Sequence, residues 1–134
     1  MSYLTPTKMY KWVINNTGET SIKGRLVELD TTDNQVILTD ANSNHCVGVI
    51  DEAGITNGNS MRIVTGGETS VLLDDNTGST AGDWAGTSEA GYALATVSPP
   101  AAPTYFKEIG HFTETVAAGG GGTHVLAKLI MHFN

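Results

Sequence analysis

The chain has 134 residues, one cysteine and a net charge of −7, with a sequence pI near 4.8. That length fits a single domain able to bury a core without disulfide or metal help. Its seven basic residues are scattered, which argues against DNA or RNA binding, and its 16 glycines with a charged fraction of 16% suit short strands and tight turns rather than a helical bundle.

In chain order, residues 1–8 are polar and broken by Pro6, and read as an N-terminal arm. Residues 9–134 read as one β-rich domain. "MYKWVIN" is the first expected strand, Met9 to Asn15. Lys23 to Leu29 and "QVILTD" form a hairpin across "DTTDN", a turn rich in Asp and Thr. Cys46 to Ile50 is another strand, and its Gly48 marks a bulge or a close backbone approach. Ser60 to Thr65 and Thr69 to Leu73 read as two strands joined by a two-glycine turn, "TGGE". The stretch "DDNTGSTAGDWAGTSEA" is turn chemistry with room for a single helical turn. Gly91 to Val97 is a strand, "SPPAAPT" is a connector, and "YFKEIGHFTET" is strand-like. "VAAGGGGT" bends the chain into a last strand. No segment of helical period with caps is present.

That last strand alternates from His124 to Phe133. Val125, Ala127, Leu129, Met131 and Phe133 make one wholly apolar face. His124, Leu126, Lys128, Ile130 and His132 make a mixed one. The expected fold is therefore all-β: a small single-domain barrel or sandwich of short antiparallel strands, closed by the C-terminal strand. Leu126 and Ile130 on the mixed face are candidates for contact between protomers.

Catalytic and metal chemistry find little support. The chain has no CxxC, HxH or HExxH spacing. His124 and His132 lie eight strand residues apart, about 26 Å, too far for one metal. The Asp-rich turns lack the spaced ligands of a calcium loop. There is no nucleophile elbow, Walker loop or dinucleotide fingerprint. The expectation is a protein that is not an enzyme and uses no cofactor and no metal. "MSYLTPTKMYKW" has no apolar core of signal-peptide length and no run approaches a membrane span, so neither membrane nor nucleic acid is an expected partner. Trp84 reads as a lid on one end of the core or as an exposed anchor for a secondary contact. The arm residues Ser2, Tyr3, Leu4, Thr5, Pro6, Thr7 and Lys8 offer Tyr3 and Leu4 with few local packing partners, and so read as a contact segment.

The order "ETSIKGRLVELD…VGVIDEAGITNGNSMRIVTGGE", "AGDWAGTSEAGYALA", "EIGHFTETVAAGGGGTHVLAKLIMHFN" resembles the small capsid decoration, or cement, proteins of tailed bacteriophages. The shared pattern is a "GxxVxLD" strand, "VGV", "AGDxxxxSxxGYA", an "IGxxxE"-like strand, a glycine-rich bend and a terminal "VLxKxxxHFN" strand. It runs from about Glu19 to Asn134 and leaves out Met1 to Gly18 and "SPPAAP". The resemblance implies a barrel-like domain on the outer surface of the capsid, made in the host cytoplasm and carried on the virion. It implies binding to the major capsid protein as a homotrimer, holding the shell against the pressure of packed DNA. It brings no catalytic residues. The rival expectation is a carbohydrate- or receptor-binding β-domain of a phage fibre or tail, with Trp84 and Tyr92 lining a groove.

Overall fold

A computed structural model describes residues 8–41, 43, 45–97 and 108–131. These form nine strands: β1 (Lys8–Asn15), β2 (Leu26–Leu29), β3 (Gln35–Leu38), β4 (Cys46–Ile50), β5 (Ser60–Leu72), β6 (Trp84–Thr87), β7 (Ala93–Thr96), β8 (Glu108–Phe112) and β9 (Leu126–Met131). One 3-10 turn, Glu89–Gly91, precedes β7.

The strands close two rings that share β5. In the first, β1 pairs antiparallel with β5 from Lys8↔Gly67 to Ile14↔Ser60, and parallel with β3 at Ile14↔Gln35. β3, β2 and β4 complete a five-stranded barrel back to β5. Val13, Val27, Val36, Ile50, Met61 and Ile63 fill its interior. Asn15 closes one end. Its amide donates to the carbonyls of Glu19 and Ile55 at 3.0 and 2.9 Å, and its Oδ1 accepts from the backbone N and Oγ1 of Thr17. All four hydrogen-bonding positions of this fully buried side chain are used, so its burial carries no desolvation deficit.

The second ring uses the other half of β5. β9 pairs with β5 from Gly67↔Met131 to Leu72↔Leu126 and with β8 on its other edge; β6 and β7 follow. A parallel bridge, Leu73↔Ala93, brings β7 back to the end of β5. The C-terminal strand thus supplies the link that closes the fold. Val71, Leu73, Ala85, Ala93, Ala95, Ile109, Phe112, Ala127, Leu129 and Met131 form the second core, which packs on Leu26, Val49 and Val64 from the barrel wall. Alanines on β6 and β7 let that sheet close tightly around Phe112, the bulkiest of the fully buried side chains.

The expected alternation of the terminal strand is present over β9: Ala127, Leu129 and Met131 are buried and Leu126, Lys128 and Ile130 exposed. His124 precedes the strand, and His132 and Phe133 lie outside the described residues. Gly48 is a close approach, as expected: a Cβ there would come within 2.6 Å of the Val64 carbonyl oxygen. Residue Val47 beside it is the extra residue of a bulge against β2.

Three expectations need correction. "TGGE" is not a hairpin turn, because β5 runs unbroken from Ser60 to Leu72 through Gly66 and Gly67. The pair instead makes room for neighbours. Met9 Sδ would lie 3.2 Å from a Cβ at Gly66, and Gly67, with φ of 89°, pairs with β1 on one edge and β9 on the other. Second, the loop read as turn chemistry contains β6, whose residues Trp84 to Gly86 pair on both edges and Thr87 with β7 alone. Third, Lys8 belongs to β1 rather than to the arm. Ser2 to Thr7 lie outside the described residues.

Candidate docking surfaces

The alternation that buries one face of each strand leaves the other facing outward, and two stretches of that outer surface carry large apolar side chains. On β9 they are Leu126 and Ile130, 48% and 49% exposed. Ile130 lies opposite His111 of β8, and His111 lies opposite Trp84 of β6. The Trp84 and His111 rings meet at 4.1 Å between centroids, tilted by 47°. Trp84 therefore lies on the outer face, across the sheet from buried Ala85, and is not a lid over the core. Ile130, His111 and Trp84 form one cross-strand row, half-open to solvent.

The second stretch is the barrel wall. Tyr10 and Trp12 are 48% and 57% exposed. Arg62 of β5 lies opposite Trp12, stacks its guanidinium 4.6 Å from the Tyr10 ring centroid, and pairs with Asp51 at 2.7 Å. Tyr10 is thereby held by a cation–π contact on one side while keeping its other side open. Trp, Tyr and Arg are the residue types that dominate binding hot spots. The composition of "MYKW" carried this signal, but its partner Arg62 became visible only through the β1–β5 register.

Tyr92 and Trp84 are not brought together. They lie at opposite ends of the β6–β7 pair, about 13 Å apart along it. Tyr92 instead stacks on His124, with 3.5 Å between centroids and 4° between planes, and lies under the Arg25 guanidinium at 4.9 Å. Arg25 is buried, pairs with Glu19, and donates from Nε to the Ala90 carbonyl. His124 donates from Nδ1 to the Leu73 carbonyl oxygen, since a carbonyl only accepts. This chain of contacts seams the barrel to the second ring.

Cys46 donates its thiol hydrogen to the Gly48 carbonyl at 3.9 Å, and loss of water around it pushes its pKa up to about 12. Among the described residues no group of three or more His, Cys, Asp or Glu could hold a metal ion.

The class defined by this architecture is a small closed barrel, antiparallel except for its β1–β3 pairing, fused through one shared strand to a second β ring. No protein-family model matches the chain, and no curated protein matches it. Among solved structures, the head fiber gp8.5 N base of bacteriophage phi29 has a similar fold. The TM-score is 0.55 at 15% identity, over 93% of this chain and 94% of that one.

Proposed function

We propose that this chain is a structural virion protein that binds the outer surface of a phage head and stabilises the shell against internal DNA pressure. The observation that carries the reading is the likeness, over nearly the whole of both chains, to the base of a phage head fiber. The motif order from Glu19 to Asn134 supports it separately. Clustered exposed apolar groups on rigid strands support a protein partner. On this reading the partner is the major capsid protein. The Ser2–Thr7 segment, leading into Lys8 at the start of β1, reaches for the shell, Trp84 adds a secondary contact, and Leu126 and Ile130 meet neighbouring protomers in a homotrimer. The role needs no catalysis and no cofactor.

The test is co-sedimentation with undecorated heads, followed by a heat or chelator challenge. Binding with raised resistance is expected. Deleting Ser2–Thr7, which leaves β1 intact, should give a folded protein that no longer sediments with heads. Undiminished binding by that truncation would move the contact to the sheet faces. The second reading, a carbohydrate- or receptor-binding domain of a phage fibre or tail, draws on the exposed Tyr10 and Trp12 rather than on Trp84 with Tyr92. Saturable glycan binding lost in Trp12→Ala, with no binding to heads, would select it.

A further inference from the structure

Lys8, Tyr10 and Trp12 occupy alternate positions of β1 and so share its outer face. At the Lys8 end this face meets a groove of about 300 Å³ lined by Lys8, Glu68, Thr69, Ser70 and Lys128. β5 forms its floor, with β1 on one edge and β9 on the other. The two lysines therefore approach one space from opposite sides. Among the described residues the ion pairs are Arg25–Glu19 and Arg62–Asp51, and neither Lys8 nor Lys128 joins one, although Glu68 lines the same groove. Lys8 is half-buried. Glu68 sets one negative charge against the two lysines, so the recess keeps a net positive charge that a further anion would offset. The chain carries −7 overall, yet Lys8, Arg62 and Lys128, three of its seven basic residues, belong to this groove and the wall beside it.

The geometry points to this groove, continued along the Tyr10–Trp12 face, as the docking site of an extended acidic segment of a partner protein. A carboxylate fits between Lys8 and Lys128 with the Ser70 hydroxyl within the same recess, and an apolar side chain four residues further along, about 13 Å, fits on Trp12. Arg62 is already committed to Asp51 and Tyr10, so it holds the aromatic wall in place rather than offering a third free cation. Two uncommitted cations are too few for a nucleic-acid backbone, whose affinity rests on many phosphate contacts. The volume admits a few side chains of a strand, not the bulk of a folded domain. The inference stands whether or not the partner is a capsid protein.

The experiment uses the full chain and three fluorescein-labelled, Ser-rich decapeptides that carry Val four residues from Glu, from Gln or from Lys, so that both groups share one face of an extended segment. Anisotropy is read at about 20 mM and about 300 mM salt, where screening separates ionic from apolar binding. The Glu peptide should bind at least about tenfold more tightly than the Gln peptide at low salt and lose that advantage at high salt. The double variant Lys8→Glu with Lys128→Glu should abolish the preference, and Lys8→Gln with Lys128→Gln should reduce it to near parity. Trp12→Ala should weaken the Glu and Gln peptides alike. Lys11→Glu reverses one charge on the opposite face of β1, half the change of the double Glu variant, and should leave the preference intact. Melting temperatures close to the parent's show that each variant is folded. The inference is overturned by equal affinity for the three peptides, by no measurable binding of the Glu peptide, or by an equal loss in Lys11→Glu. It is equally overturned if a single-stranded oligonucleotide binds the same site more tightly than the Glu peptide, or if sedimentation shows the groove filled by a second copy.

Discussion

Replacing Leu129 by Ala tests the placement of β9 directly. Leu129 is fully buried, pairs with Thr69 of β5 and Phe112 of β8, and points into the second core. The change removes three carbons, worth about 2.4 kcal/mol at about 0.8 kcal/mol each. A residual cavity brings the expected cost to about 3 kcal/mol, within the range of about 2–5 kcal/mol for such sites. Its neighbour Ile130 is half-exposed on the outer face, so Ile130→Ala should change stability by less than about 0.5 kcal/mol. Urea unfolding of the two variants, followed by tryptophan fluorescence, reads the difference. Deleting residues 126–134 should abolish the soluble fold altogether, because β5 and β8 would lose their shared neighbour. Equal costs for the two alanines, or a larger cost at Ile130, would refute the register. A stable, folded truncation would refute the role of β9 in closure.

Gly110→Ala should cost more than about 2 kcal/mol in the same assay, since Gly110 has φ of 155° and a Cβ there would run into the Ile130 carbonyl oxygen. A variant as stable as the parent would show that β8 and β9 are not so closely paired. Cys46 should react with a disulfide reagent at pH 8 about a thousandfold more slowly in the native protein than in urea, given its thiolate fraction at a pKa near 12. The raised folded pKa also fixes a sign. Its stabilisation is intact below the unfolded thiol value of 9.0 and is lost as the pH rises from there towards about 12, where only the unfolded chain has released its proton. Cys46→Ala should flatten that alkaline decline; an unchanged pH profile would contradict the assignment. Asp30 gives the opposite sign at the acid end. The Thr31 backbone N–H and the Asn16 amide hold its pKa below 3.8, so its contribution is present above that value and is lost as the pH falls through the lowered one. Asp30→Asn should remove that part of the acid limb in a pH series of melts, and an unaltered limb would argue against it.

Local pattern was enough to place β9, because alternating burial leaves its mark residue by residue. It also placed β4 to the residue, and the β2–β3 hairpin through its Asp-rich turn. Long-range pairing was not legible in the same way. Gly66 and Gly67 carry a hairpin signal, but the chain stays extended there because two other strands pair across them, which no local window contains. β6 was hidden because "WAGT" has the composition of a loop and gains its extended form from β7 and β8. The candidate surface divides likewise. The sequence places Tyr10 and Trp12 on the first strand, but their exposure shows only in the folded barrel, where β1 turns that face outward. That Lys8 and Lys128, 120 residues apart in sequence, line one groove follows only from β1 and β9 flanking the same strand.

β5 has a mechanical consequence. At 13 residues it spans about 43 Å and belongs to both rings. A pull directed along it loads the hydrogen bonds to β1, β4 and β9 in parallel rather than one at a time. Neither ring can then be peeled away without disturbing the beam that supports the other. Force and heat should therefore meet a single yield point instead of two, and a load applied at the barrel wall would be carried through β5 into the second ring rather than absorbed at a hinge.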